Sequence, residues 1–125
     1  MLLCDYGKWG GKHPEMVKRR PVVVMRDRLP KRDGLATVIP LSGTEMKDGV
    51  TYQCRIELAD DLHPNFPSRI WWAKCDMVSS VSFERLDYFQ SPRDQYGKRT
   101  YHTDLRLDDE NFEKIRVALR VALAL

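Results

Sequence analysis

Residues 15–25 read EMVKRRPVVVM, and this stretch decides how the rest of the chain is interpreted. Val22, Val23 and Val24 form a continuous β-branched run, which is typical of a central strand buried on both faces. Pro21 opens the run, and one carboxylate and three cations come shortly before it. The stretch therefore predicts a core strand that holds charged groups at its entrance.

Composition favours one globular domain spanning residues 1–125, because 42% of the residues are hydrophobic and 31% are charged. The net charge is +3, but residues 8–34 contain nine Lys or Arg against three Asp or Glu, which predicts an electropositive surface. Three cysteines without a CxxC pair argue against a disulfide framework and a zinc site. No cofactor, metal ion or membrane association is expected, and the protein is predicted to be cytoplasmic.

Short apolar runs separated by turn formers predict a mainly β fold. A serine-rich segment, residues 79–86, predicts a short strand followed by a helical turn. Residues 91–104 are polar and predict a surface excursion, and residues 108–125 predict a C-terminal helix with Phe112, Ile115, Leu119 and Ala122 on its apolar face. The predicted strands are 2–6, 21–25, 35–41, 52–58 and 70–75. Such elements favour a small, strongly bent sheet or barrel, whose edges a second copy would cover.

The charged cluster before the valines has two interpretations. Arginine presents a planar fork that suits phosphate, and a neighbouring carboxylate accepts a proton, so Glu15 with Lys18, Arg19 and Arg20 would suit phosphodiester chemistry without a metal. The alternative is a solvated strand entry with an incidental ion pair. Ser42 likewise is either a hydroxyl that donates to a phosphate or a turn-forming serine.

A second feature is the pair Trp71 and Trp72, which lie on opposite faces of any strand. One of the two is therefore expected outside the core, either stacked on a base or packed against a subunit. Lys74 and Asp76 follow directly and add charge at the same strand end.

Four stretches, in this order, resemble the MazF/PemK/Kid family of bacterial toxins. The resemblance covers nearly all of the chain, and the terminal helix also fits. The stretches are LLCDYG (2–7), Glu15 through Arg20 and Pro21 with the valine-rich strand, Pro40-Leu41-Ser42, and WAKCDMV (72–78) followed by Glu84-Arg85-Leu86.

This resemblance implies an SH3-like β-barrel homodimer that acts as a sequence-specific, metal-independent endoribonuclease on single-stranded RNA. In the family, the 2′-hydroxyl attacks the adjacent phosphate and leaves a 2′,3′-cyclic phosphate and a 5′-hydroxyl, and a cognate antitoxin neutralises the toxin. By resemblance, Glu15 is the expected base, Arg20 the acid or transition-state stabiliser, and Ser42 the hydroxyl that holds the phosphate. The expected RNA-binding residues are Lys18, Arg19, Lys74 and Asp76.

The chain departs from the family pattern at several places. Lys74 stands where an arginine is usual, which removes bidentate geometry, and His13 is displaced by one position. The 91–104 segment is longer than in compact members and is either a binding arm or a solvated loop. Two other functions stay open: a non-catalytic barrel of the type that binds DNA gyrase, and a barrel that binds nucleic acid without cutting it.

Overall fold

The computed structural model describes residues 1–7 and 19–125 of the chain. The described residues form nine β-strands, two short 3-10 helices and one α-helix. The longer strands are β1 (Leu2–Asp5), β2 (Arg19–Arg26), β3 (Leu35–Ser42), β4 (Gln53–Glu57), β5 (Ile70–Lys74) and β6 (Ser79–Ser82). The two-residue strands are β7 (Leu86–Asp87), β8 (Phe89–Gln90) and β9 (Tyr101–His102); the 3-10 helices span Cys75–Met77 and Phe83–Arg85, and α1 spans Asp109–Leu123.

Strand β2 is central, as the valine run predicts. It pairs with β1 on one side and with β3 on the other, both antiparallel. Val22 and Val23 are both buried although their side chains point to opposite faces. The β-branched run therefore fills the interior on two sides of the sheet at once.

Strand β3 makes the sheet bend. Its first half pairs with β6 (Leu35 to Val38), and its last two residues pair along the same edge with β5 (Leu41 and Ser42). The sheet runs β4-β5-β3-β2-β1-β7, with β6 attached to β3. Within residues 1–7 and 19–125, the outer strands β4 and β7 do not pair with each other, so the sheet is barrel-like without being closed.

Apolar side chains gather in two clusters on opposite faces of this sheet. The larger cluster, here called the helix-covered core, packs beneath α1; its buried members are Val23, Ile39, Leu41, Ile56, Leu62, Trp71, Ala73, Cys75, Phe89, Ile115 and Ala118. The smaller one, here called the open-face cluster, consists of Cys4, Tyr6, Val22, Ala36, Val38 and Val81.

Helix α1 begins where the sequence indicates. The Asp108 carboxylate accepts a hydrogen bond from the backbone N–H of Asn111 at 2.7 Å, which caps the first turn. The Asn111 side chain also donates to the Glu57 carbonyl at 3.0 Å, so the helix start is tied to β4. Ile115 is fully buried, and Phe112, Leu119 and Ala122 pack against the same core.

The 91–104 segment leaves the sheet and returns as a small hairpin. Strands β8 and β9 pair at its base, and the Asp94 carboxylate accepts hydrogen bonds from the backbone N–H groups of Tyr96 and Lys98 at 2.8 and 2.9 Å. These two-residue strands are not predicted from the sequence. Among the described residues, no helix is long and apolar enough to cross a membrane.

Candidate functional site

Two of the three residues expected to carry catalysis lie on the same face of neighbouring strands. The ladder between β2 and β3 ends with Val22 opposite Pro40. Continuing that register by two residues on each strand sets Arg20 opposite Ser42. Residues related in this way point to the same face of the sheet. The fold therefore places Arg20 and Ser42, which are 22 positions apart in sequence, on one face of neighbouring strands.

The same face carries two further side chains on the next strands. Ser42 pairs with Trp72 on β5, and Trp72 pairs in turn with Arg55 on β4. Arg20, Ser42, Trp72 and Arg55 thus form one line across four strands, called here the cross-strand row. The two ends of the row are cationic and its third member is a half-buried indole.

Arg20 is half-buried and lies beside unusual polar neighbours. Its Nε atom is buried without a hydrogen-bond partner among residues 1–7 and 19–125, and the same is true of the Tyr6 hydroxyl and the Ser79 hydroxyl. Burial and the neighbouring Cys4 thiol raise the pKa of the Tyr6 phenol, and Ser79 and the charge of Arg20 act in the opposite direction. Buried polar groups are rarely left unpaired, so these atoms mark a place suited to a ligand with acceptor oxygens.

Ser42 is almost fully buried, and its side chain stabilises the turn that follows β3. Its Oγ accepts a hydrogen bond from the backbone N–H of Thr44 at 3.1 Å, which is the contact of a turn-forming serine. A hydroxyl that accepts one bond still has its own proton to donate. The turn contact therefore fixes the oxygen in place and leaves its O–H free to donate to another acceptor.

Arg19 does not share this face. It alternates with Arg20 along β2, is exposed, and pairs with the Asp87 carboxylate at 3.1 Å. Lys74 does share it, because Lys74 lies two residues beyond Trp72 on β5, opposite Gln53. Asp76 lies just past the strand end, where its carboxylate accepts a hydrogen bond from the Gln53 side chain at 3.1 Å.

Glu15, Lys18 and His13 lie outside the described residues, so their predicted roles stay predictions. Within residues 1–7 and 19–125, no three His, Cys, Asp or Glu side chains cluster closely enough to hold a metal ion.

Sequence reasoning missed two members of this region, Tyr6 and Arg55. Alternation along β1 places Tyr6 on the face of Cys4, and Cys4 pairs with Arg20. Tyr6 lies in the LLCDYG stretch without an expected role, Arg55 belongs to no motif, and the strand register brings both to the site. The available signal was the alternation of each strand, combined with a correct guess of which strands are neighbours.

Comparison with known sequences identifies relatives along nearly the whole chain. A sequence model of the PemK-like, MazF-like toxins of type II toxin–antitoxin systems matches residues 1–123. An uncharacterized protein of Haemophilus influenzae is 35% identical over 96 residues, which cover 69% of this chain and 65% of the relative. The putative uncharacterized protein YifN of Escherichia coli K12 is 35% identical over 77 residues, covering 59% of this chain and 50% of that protein. The matches therefore span between half and two thirds of the length of these curated relatives.

Solved structures agree on the fold. An endoribonuclease in complex with its cognate antitoxin, from a mycobacterial species, has a TM-score of 0.60 and 14% identity, covering 99% of this chain and 90% of its own. The Mycobacterium tuberculosis toxin MazF-mt6 has a TM-score of 0.59 and 15% identity, covering 99% of this chain and 96% of its own. The expected architecture, a mainly β, barrel-like domain with a C-terminal helix, is confirmed.

Proposed function

The chain belongs to the PemK-like, MazF-like toxin family of type II toxin–antitoxin systems, and on that premise we propose that it is an endoribonuclease that cuts single-stranded RNA without a metal ion. The observation that carries this proposal is the position of Arg20. Its buried Nε is unpaired in the described part of the chain, and it shares a sheet face with the Ser42 hydroxyl. A buried N–H donor without an acceptor is costly, and a phosphate supplies several acceptor oxygens at once.

The proposed reaction is an internal transfer at phosphorus. The ribose 2′-oxygen loses its proton to a base and bonds to the adjacent phosphorus, and the bond from phosphorus to the 5′-oxygen breaks. The leaving oxygen takes up a proton, so the products are a 2′,3′-cyclic phosphate and a 5′-hydroxyl. Glu15 is the proposed base, because a carboxylate four residues ahead of the arginine pair is the nearest acceptor that the sequence offers.

Arg20 and Ser42 would act on the non-bridging oxygens. The guanidinium remains charged at any working pH and donates in a fork that matches two phosphate oxygens. Because Arg20 directly precedes the buried residues Pro21, Val22 and Val23 of β2, its backbone is anchored and its donors would need little reorganisation as charge develops. The Ser42 hydroxyl would donate one more hydrogen bond at the same phosphate.

The remainder of the cross-strand row would hold the flanking nucleotides. Trp72 presents an aromatic surface on which a base can stack, and such stacking contributes about 1–3 kcal/mol per base. Arg55 and Lys74 lie on the same face and would contact neighbouring phosphates, and Asp76 lies just past the end of β5. Lys18, outside the described residues, and Arg19, which faces the other way, remain proposed RNA-binding residues by resemblance to the family. RNA as substrate places the proposed activity in the cytoplasm.

Two protein partners belong to the proposal. A second copy of the chain would complete a homodimer, and a cognate antitoxin would occupy the RNA face. The support for the antitoxin is family membership together with a structural neighbour that is itself described in complex with its cognate antitoxin.

The deciding experiment is cleavage of a long single-stranded RNA by the purified chain in the presence of a metal chelator, with analysis of the product ends. We expect cuts that carry 2′,3′-cyclic phosphates, and we expect Arg20→Ala to lower the rate by about 100- to 1000-fold. Arg20→Lys should recover part of the rate, since it restores charge but not the planar fork. Arg26→Ala is the matched control, because Arg26 lies on the same strand and is exposed.

Full cutting by Arg20→Ala, or loss of cutting on addition of the chelator, would overturn the proposed mechanism. Glu15→Gln should slow the reaction at neutral pH and flatten the acid limb of the pH–rate profile. A profile identical to that of the unaltered chain would remove Glu15 from the role of base.

A second candidate is a barrel that acts by binding a protein. It is favoured by one observation: the exposed aromatic side chains Phe83, Tyr88 and Tyr101 border a cavity of about 510 Å³ that reaches down to Leu2 and Val24. Exposed aromatic groups around a cavity are common at protein interfaces. A chain that inhibits growth but leaves RNA intact in the assay above would support this candidate.

A further inference from the structure

Two cysteine side chains lie in the helix-covered core, on the face of β4 and β5 opposite to the cross-strand row. Cys54 lies on β4 and Cys75 begins the first 3-10 helix, immediately past the end of β5. Cys54 packs against the core cluster that buries Cys75, and the Cys75 thiol lies 3.8 Å from the Ala73 carbonyl oxygen and 3.7 Å from the Ile115 carbonyl oxygen of α1. All three cysteines of the chain are free thiols.

The two thiols differ in their access to solvent. Cys75 is fully buried, whereas Cys54 is half-buried and lines a surface cavity of about 550 Å³ between β4 and α1. Val117 supplies an apolar wall of that cavity, and Lys114, Glu110 and Glu113 bring charge to its rim. A small uncharged molecule can therefore reach Cys54 but not Cys75.

The two thiols also differ in acidity. The neighbouring Cys75 thiol lowers the pKa of the Cys54 thiol, and the ammonium group of Lys114 lowers it further against the effect of burial. The neighbouring Cys54 thiol and burial raise the pKa of Cys75. Cys54 also lines the same cavity as Lys114, and a nearby cation favours the thiolate form that makes cysteine reactive.

We propose that Cys54 is a modification site for hydroperoxides and that Cys75 is its resolving partner. The Cys54 thiolate attacks one peroxide oxygen, so a sulfur–oxygen bond forms, the oxygen–oxygen bond breaks, and the other oxygen leaves as water after taking a proton. The Cys75 sulfur then gives up its proton and attacks the Cys54 sulfenic acid, which forms the disulfide and releases a second water. Two thiols are oxidised by two electrons in all, and one hydrogen peroxide is reduced to two waters.

Formation of the Cys54–Cys75 disulfide requires the segment that holds Cys75 to move toward β4. Cys54 pairs directly with Ala73, and Cys75 is two residues further on. Diagonal neighbours across antiparallel strands have Cα atoms about 7–8 Å apart, whereas a disulfide requires about 4.4–6.8 Å. Forming the bond therefore draws the 3-10 helix toward β4, along with Asp76 and its hydrogen bond to Gln53.

The test is treatment of the folded, full-length chain with hydrogen peroxide, followed by peptide mapping. We expect the mass to fall by two hydrogens, with a disulfide that links the peptides of Cys54 and Cys75. Cys4 serves as the internal control: it is fully buried in the open-face cluster, and burial raises its pKa to about 11. In a brief pulse of alkylating reagent without peroxide, Cys54 should react at least about tenfold faster than Cys4.

Single substitutions separate the two steps. In Cys75→Ser and Cys75→Ala, Cys54 should accumulate as a sulfenic acid that a dimedone-type reagent traps; in Cys54→Ser, Cys75 should stay reduced. Equal reactivity of Cys54 and Cys4 in the unaltered chain would overturn the proposal, as would a disulfide that forms only between two chains. The alkylation result needs no variant, and every readout concerns sulfur alone, so failure here is distinct from failure of the proposed RNA cleavage.

Discussion

The two faces of the central sheet differ in what covers their apolar side chains and in whether their buried polar atoms are paired. The helix-covered core is roofed by α1, and its polar atoms are paired: the Trp71 indole N–H donates to the Ser68 carbonyl at 2.9 Å, and the Asn111 amide donates to the Glu57 carbonyl. The open-face cluster is smaller, and Tyr6, Arg20 and Ser79 each leave a buried polar atom unpaired in the described part of the chain. One face is arranged for stability, whereas the other retains unpaired polar groups, as functional sites commonly do.

The largest effect on stability should come from the helix-covered core. Phe89 is fully buried there, with its ring 5.8 Å from that of Phe66, so Phe89→Ala should lower the free energy of unfolding by about 3–5 kcal/mol. Phe83→Ala is the matched control, because Phe83 is 46% exposed beside the open face. Denaturant unfolding of both variants measures the difference. Equal losses would mean that the two faces contribute alike to stability.

On the open face, we expect one substitution that does not lower the free energy of unfolding. Arg20→Met keeps a long side chain but removes a half-buried charge whose Nε is unpaired among the described residues, so the free energy of unfolding should stay constant or rise by about 1–2 kcal/mol. RNA cutting should be lost in the same variant. Arg26→Met, at the exposed end of β2, should change neither quantity. A clear loss of stability in Arg20→Met would show that Arg20 has a stabilising partner outside the described residues.

The sequence predicts the elements that have a local pattern and misses those that depend on distant partners. The valine run of β2 and the apolar spacing of α1 are local patterns, and both elements appear where those patterns place them. Strands β7, β8 and β9 have two residues each, which is too short for any period to be visible. Their positions depend on partners distant in the chain.

Only part of the candidate site could be predicted from the sequence. Arg20 and Ser42 stand out because motifs contain them, and their shared face follows from the β2–β3 register. Tyr6 and Arg55 reach this region through pairings that a single sequence does not reveal. The contact between Cys54 and Cys75 likewise follows from the pairing of β4 with β5. Long-range register therefore accounts for most of what was missed.

The smallest change in the free energy of unfolding should come from the start of α1, at the exposed edge of the helix-covered core. Asp108 accepts hydrogen bonds from the Asn111 backbone and side chain at 2.7 and 2.8 Å, and the backbone bond holds the pKa of Asp108 below its usual range. Asp108→Ala should therefore lower the free energy of unfolding by about 1 kcal/mol at neutral pH. Asp108→Asn is the control, because an amide oxygen preserves the cap without the charge.

The pH dependence of this contribution follows from the direction of the shift. Since the folded state holds the pKa of Asp108 below its unfolded value of about 3.9, the stabilisation is complete above that value and is lost as the pH falls through the lower folded pKa. Urea unfolding at neutral pH and near pH 2 should show the gap between the unaltered chain and Asp108→Ala narrowing in acid. An unchanged gap would assign the cap to the oxygen atom alone.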